Sequence, residues 1–320
     1  MKNTTTITSA CTAEFFNFMQ GMVLSVREKP QGASVDISVL DLGMSPEQLE
    51  WLSDQKVNTA KPEWEFGLDD TCGFPIPFKG ILARTHVKKY FPGYEVYFHI
   101  DADAWVQDWA AVELYIAGAK RGVMAVTPEI DRSFICNYRN SHAYREFVTH
   151  IYTDLQGPEY AEKYRDYPII NTGVFAMPAT SVLWERWANR IGKALSNKPN
   201  FHVEQCSINL ELFENLEQYL EDGIEFLPSS CNWVCHQALP MFDEAAGMLV
   251  EPFLPHEKLG IVHRASDDFK QKKTGAVKVV QGGTREMNLK YLEGDYRASL
   301  ASAEPEKLKR WQDAGFQWSA

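Results

Sequence analysis

Between residues 5 and 127 the chain alternates β-prone and helix-patterned segments about four times, and no other feature restricts its fold as much. Residues 5–11 are β-prone. Residues 13–27 carry Phe15, Phe16, Met19, Met22, Val23 and Val26 at helical spacing. Residues 35–42 are dense in Val, Ile and Leu. Ser45, Pro46 and Gln48 then make a helix start: a capping serine, a proline at the first position and a glutamine three residues after the cap. A Trp-, Gly- and Pro-rich loop covers 62–77, and a helix over 78–90 stops near Pro92-Gly93. Residues 95–100 read as a buried strand, 109–120 as a helix and 122–127 as a further strand. Parallel strands need crossovers of about a dozen residues, which these spacings supply. The pattern predicts a doubly wound α/β sheet, mostly parallel and flanked by helices. Ligands of such sheets bind beyond the carboxyl ends of the strands.

The second part is more mixed. Strands are expected over 169–177, 224–227 and 260–263, and helices over 181–195 and 203–216. No Pro/Gly/Ser-rich linker divides the 320 residues, so the expectation is one domain over 1–280 and a polar, helical tail over 281–320. A net charge of −11 with no evident basic face argues against nucleic acid as a partner. The short basic run Lys270-Gln271-Lys272-Lys273 is either a solvated loop or a phosphate contact. Six scattered cysteines without a C-x-x-C pair fit reduced thiols, and Cys231, Cys235 and His236 lack zinc spacing. The N-terminus does not read as a signal peptide, and no apolar run reaches the ~18 residues of a membrane span. A soluble, cytoplasmic protein is expected.

Asp101 and Asp103 close the apolar run Val96-Tyr97-Phe98-His99-Ile100. In an extended chain, positions i and i+2 face the same way. Two carboxylates on one face repel unless a cation lies between them, and hard divalent ions take such oxygens while leaving positions for phosphate. His99 shares that face but reads as a hydrogen-bonded core histidine. His263 ends another apolar run, Gly260-Ile261-Val262, and a neutral imidazole there suits a third ligand.

Several separated pieces, in order, resemble the GT-A glycosyltransferases of the glycogenin and bacterial galactosyltransferase type, family eight. They are Lys79 and Arg84 ahead of Tyr97 to Asp103, then Asn171-Thr172-Gly173, Glu204-Gln205, Leu227-Pro228 with Asn232-Trp233, and Val262-His263. The resemblance implies a GT-A-like fold and transfer of a hexose from a nucleotide diphosphate sugar, UDP-linked, to a hydroxyl acceptor (a glycan, a lipid-linked sugar or a small molecule). It implies Mn²⁺ or Mg²⁺ on Asp101, Asp103 and His263. It places the donor against Thr8, Ser9, Ala10, Lys79, Arg84, Ile100, Ala102, Gly173 and Lys270, and gives catalytic positions to Asn171, Glu204 and Gln205. It also implies retention of configuration, by same-face attack with the diphosphate as base.

The chain departs from the family in two places. Cys11-Thr12-Ala13-Glu14-Phe15-Phe16 stands where an acid and an aromatic usually follow the first strand. After His263, Ser266 replaces a glycine and Lys270 comes one place late. Two other readings remain at this point. A sugar nucleotidyltransferase would carry a Gly-rich basic loop after the first strand, and 8–16 has none. A non-catalytic nucleotide-sugar binder would bind donor without turnover. The Trp- and Pro-rich stretches 62–77 and 233–240 serve either core packing or an acceptor cleft.

Overall fold

The computed structural model of the chain describes residues 4–135, 137, 141–265 and 275–291. The alternating segments assemble one seven-stranded sheet from β1 (Thr5–Cys11), β2 (Asp36–Asp41), β3 (Val57–Ala60), β4 (Val96–Ile100), β6 (Met124–Pro128), β7 (Ile170–Pro178) and β8 (Ile224–Phe226). Their spatial order is β3-β2-β1-β4-β7-β6-β8. Six strands run parallel, and β7, between β4 and β6, runs against both. The mixed, mostly parallel sheet expected from the sequence is therefore the sheet that forms.

Alternate side chains of the strands feed two cores. Ile7, Ile37, Val39 and Phe98 pack with helices α1 (Phe16–Arg27), α2 (Pro46–Asp54) and α5 (Trp109–Lys120). Leu40, Tyr97 and Phe175 face the other way, onto α3 (Ile76–Ala83), α6 (Ser141–Gln156), α8 (Leu183–Ala194) and α9 (Val203–Glu214). The predicted start of α2 is present in full. The Ser45 hydroxyl accepts from the Gln48 backbone N–H, and the Gln48 side chain accepts from the Ser45 N–H.

Two predicted helices are broken. The 78–90 segment is α3, a single 3-10 turn over Arg84–His86, and the short α4 (Val87–Tyr90). The Thr85 hydroxyl donates to the Leu82 carbonyl inside that turn and competes with the helical ladder. The 203–216 segment ends as α9, and α10 (Leu216–Asp222) follows. The α6 helix and its short successor α7 (Pro158–Tyr164) lie where no helix was expected. The stretch 62–77 packs Trp64, Phe66 and Phe74 against the second core, and Trp233 is fully buried in a third, so both do packing work.

A second sheet completes the frame. Strand β12 (Ile261–His263) lies between β5 (Ala104–Val106), which is antiparallel to it, and β9 (Trp233–Val234), which is parallel. Hairpins β10 (Met241–Asp243) with β11 (Met248–Val250), and β13 (Gly275–Lys278) with β14 (Thr284–Met287), follow around it. The expected helical tail begins at 281, but β14 occupies its first part. Its remainder, 292–320, lies outside the described residues, as do Lys270 and its basic run.

Asp101 to Asp103 correct the spacing argument made from the sequence. They are a tight turn, closed by the Ala104 N–H on the Asp101 carbonyl at 3.0 Å, not the end of an extended strand. The turn hands the chain from β4 of the large sheet to β5 of the small one. Because β5 pairs with β12, His263 sits opposite Ala104. Proximity of the three residues comes from that pairing within the small sheet.

Candidate metal centre and donor cleft

The three side chains meet. One ligand atom each from Asp101, Asp103 and His263 lies within 4.8 Å of the other two. His263 Nε2 is 3.4 Å from Asp103 Oδ1, with both side chains buried. Two carboxylates and an imidazole are a donor set for a hard or borderline divalent ion such as Mn²⁺ or Mg²⁺. Gly173 makes the room. A Cβ there would stand 2.5 Å from His263 Cε1, 2.8 Å from Asp101 Oδ2 and 3.1 Å from Asn171 Oδ1. The residues present therefore fit a metal ion.

Asp101 is held from behind. Its Oδ1 accepts from Arg84 Nη2 at 2.6 Å and from His99 Nε2 at 3.0 Å. Since a carboxylate oxygen only accepts, His99 carries its proton on Nε2, and its Nδ1 accepts from the Thr8 hydroxyl at 3.3 Å. Burial, reinforced by the nearby Arg84 charge, pushes the His99 imidazole down to about 4. The ring is a neutral prop, which bears out its reading as a hydrogen-bonded core histidine. Burial opposes the Asp101 charge, but Arg84 and the His99 N–H hold its carboxyl below the usual carboxylate range.

Arg84 also reaches Glu204. Its Nη1 donates to both Glu204 oxygens, at 3.1 and 2.9 Å, and to the Thr172 carbonyl at 3.1 Å. One buried guanidinium thus fixes an acid from the end of β4 and an acid from the first turn of α9. Arg84→Met would leave both acids without their cation, and breaking a buried pair this way costs about 3–5 kcal/mol. Urea unfolding of the two proteins checks the loss. A variant as stable as the parent would mean that the guanidinium is not the partner of these acids.

Burial is the dominant influence on two further groups. It pushes Glu204 up to about 7, against the pull of Arg84, with Asp101 adding to the rise. It pushes Glu129 up to about 7 as well, although the Asn171 amide pulls the other way. Each acid keeps its proton in the folded chain up to about pH 7 and loses it near 4.5 in the unfolded chain. The associated stability is therefore full below about pH 4.5 and is lost as pH rises through about 7, on the order of 1–3 kcal/mol per group. The metal-free protein should lose thermal stability between pH 5 and pH 8, and Glu204→Gln should flatten that slope. A Glu204→Gln profile parallel to the parent's would exclude Glu204 as its source.

Arg84, Asp101, Asp103, Glu204 and His263 line one open cleft of roughly 570 Å³ at the carboxyl ends of the strands, within the usual range for a ligand site. Of the residues anticipated from the sequence, Ala10, Arg84, Asp101, Ala102, Asp103, Asn171, Gly173, Glu204, Gln205 and His263 are on its wall. Gln205 donates its amide to the Ile170 carbonyl at 2.9 Å. Four others are not on the wall. Thr8 supports His99, Ser9 and Ile100 are buried in the sheet, and Lys79 stacks its ammonium over Trp64 at 5.4 Å. Thr8 and Ser9 precede the strand's last residues, and Lys79 turns toward Trp64 of the 62–77 segment. Leu42, Ile81, Phe201 and His202 join the wall without having been singled out, and Cys11, Thr12 and Phe15 join it from the segment that departs from the family after the first strand.

No protein-family model and no curated protein sequence matches the chain. Solved structures do. The chain is similar to the galactosyltransferase LgtC, whose structure holds donor and acceptor sugar analogues, at 12% identity over 95% of this chain and 99% of that one, with a TM-score of 0.52. It is similar to the bifunctional glycosyltransferase WbbM at 12% identity, covering 98% of this chain and 52% of the other, with a TM-score of 0.52. It is also similar to the glycosyltransferase GlyE of Streptococcus pneumoniae TIGR4 at 11% identity, covering 100% and 66%, with a TM-score of 0.50. Likeness at such identities speaks of the fold, and the fold is the GT-A one.

Proposed function

We propose that a chain with this GT-A fold and this cluster is a metal-dependent glycosyltransferase. It would move a hexose from a nucleotide diphosphate sugar, UDP-linked, to a hydroxyl acceptor. The observation that carries the reading is the Asp101–Asp103–His263 cluster, set in the floor of the cleft at the strand ends. A bound Mn²⁺ or Mg²⁺ would supply positive charge to the leaving diphosphate.

The chain's own residues divide the remaining work. Arg84 holds Asp101 and Glu204 in register, so that both acids are in place before donor arrives, which is preorganisation. Gly173 keeps the floor low enough for the donor to lie against the backbone. Ala10, with Cys11 and Phe15, would border the nucleoside, and Glu204 and Gln205 the sugar. Glu204 accepts from Arg84 on both oxygens, with the Thr172 hydroxyl at 3.4 Å as well, which ill suits it to be a nucleophile. That supports retention by same-face attack. The net charge of −11 offers nucleic acid no electrostatic attraction. Four free, buried cysteines (Cys11, Cys206, Cys231 and Cys235) and the lack, among the described residues, of a helix long and apolar enough to cross a membrane support a cytoplasmic setting.

A thermal-shift panel of nucleotide sugars with and without Mn²⁺ tests this. Ligand binding to the folded state raises the midpoint, by about 2.7 kcal/mol of stability at a hundredfold excess over Kd. A UDP-sugar should stabilise only with the metal present and should be turned over to free UDP. Stabilisation without turnover to any hydroxyl acceptor would make the protein a binder.

A further inference from the structure

Behind His263 runs a row of side chains that no step above requires. His263 Nδ1 lies 2.9 Å from Asn232 Oδ1. Asn232 Nδ2 donates to Asn171 Oδ1 at 2.9 Å, and Asn171 Nδ2 donates to Glu129 Oε1 at 2.9 Å. The row crosses four elements: the end of β6, the start of β7, the turn Ser229–Asn232 and the end of β12. Asn232 is fully buried and Asn171 nearly so.

We infer that Glu129, Asn171 and Asn232 are positioning residues that force the proton of His263 onto Nδ1 and so aim its Nε2 lone pair into the metal centre; this rests on the metal reading above. The direction of the row follows from what each group can do. The Gly173 backbone N–H can only donate, and it donates to Asn171 Oδ1 at 3.1 Å. That oxygen is therefore pinned, and the Asn171 amino group is left for Glu129, whose oxygen accepts. Asn232 must then offer its own amino group to Asn171 Oδ1, which turns its carbonyl oxygen toward His263. Facing an acceptor, Nδ1 keeps the hydrogen. Nε2 then carries no hydrogen and lies 3.4 Å from the acceptor Asp103 Oδ1, an arrangement that a cation between them resolves. His99 is set the opposite way by the same logic, with its hydrogen on Nε2 toward Asp101. The two histidines beside one centre thus have opposite tautomers, one a donor to a ligand and one a ligand. Partners of this kind typically change metal affinity by about 10–100-fold when lost.

The test is ¹⁵N NMR of ring-labelled histidine in the metal-free protein, paired with Mn²⁺ titration followed by the EPR signal of the free ion. In the wild-type chain, His263 should carry hydrogen on Nδ1; a bare Nδ1 overturns the inference without need of any variant. Asn232→Leu and Asn171→Leu should lose that preference and bind Mn²⁺ about ten- to a hundredfold more weakly. Asn171→Asp still accepts from Gly173 and Asn232, so it should keep hydrogen on Nδ1. A packing role predicts the reverse order, since leucine suits a buried site better than a charge. If the leucine variants match the wild type in both readouts, the row has no directing effect. A wild-type chain that binds no Mn²⁺ but shows the Nδ1 hydrogen sinks the metal reading and leaves the row intact.

Discussion

Asp103→Asn should lower donor turnover by about 10²–10³-fold or more at saturating Mn²⁺, the scale on which a preorganised charge in an active site is removed. The residue is buried and faces His263 Nε2, so an amide there exchanges one of two anionic ligands for a weak neutral one. The backbone should be undisturbed. The turn is closed by main-chain bonds, Ala104 N–H to the Asp101 carbonyl and Arg264 N–H to the Asp103 carbonyl, and neither uses the carboxylate. Release of free UDP from a UDP-sugar is the measurement, together with Mn²⁺ affinity. Full activity restored by more Mn²⁺ would indicate that affinity alone was lost. Full activity without it would remove Asp103 from the centre.

Gly173→Ala is the second large effect, and it arises from a single added carbon. That carbon would sit 2.5 Å from His263 and 2.8 Å from Asp101, closer than real Cβ contacts come. His263 has little freedom to yield, since Asn232 holds its far nitrogen and β12 its backbone. Asp101 is fixed by Arg84 and His99. The ligands must spread, so Mn²⁺ binding and turnover should both fall below detection. Overpacking of this kind costs about 1–3 kcal/mol of stability. The variant should therefore still fold, with a lowered thermal midpoint and no metal response. Wild-type Mn²⁺ affinity in Gly173→Ala would show that the ion, if bound, lies elsewhere.

Much of the frame was readable from residue pattern alone. The alternation to residue 127 and the capping box at Ser45 recur in the structure, because each is set by local chemistry. The second half was harder. Val148, Ile151, Tyr152 and Leu155 stand at the helical spacing of α6, a legible signal that the sequence reading passes over. Strand β3 was not anticipated either, as Val57–Ala60 has only four residues, two of them exposed. At the site, residue type was the better guide and geometry the poorer. Residue type marks Asp101, Asp103 and His263 as ligands, but alternation along a strand, which joins the two aspartates in the sequence argument, is not the operative reason. Their meeting depends on the pairing of β5 with β12, which joins positions about 160 apart and leaves no local trace. Asn232 lay in a segment that had drawn attention without receiving a task. Glu129 had no signal at all, since an acid after Pro128 at a strand end looks like any solvated one.

The turn from Asp101 to Asp103 passes directly from the large sheet to the small one beside it. Two of the three ligands ride on that turn, and the third rides on the small sheet's middle strand. An ion held by all three would therefore clasp together two sheets that already share one hydrophobic cluster through Ala104, Val106 and Ile261. Its grip reports their relative placement. A change deep in the small sheet's core, around Trp233 or Val262, would reach the ion as a change in spacing and leave the large sheet's wall of the cleft where it is.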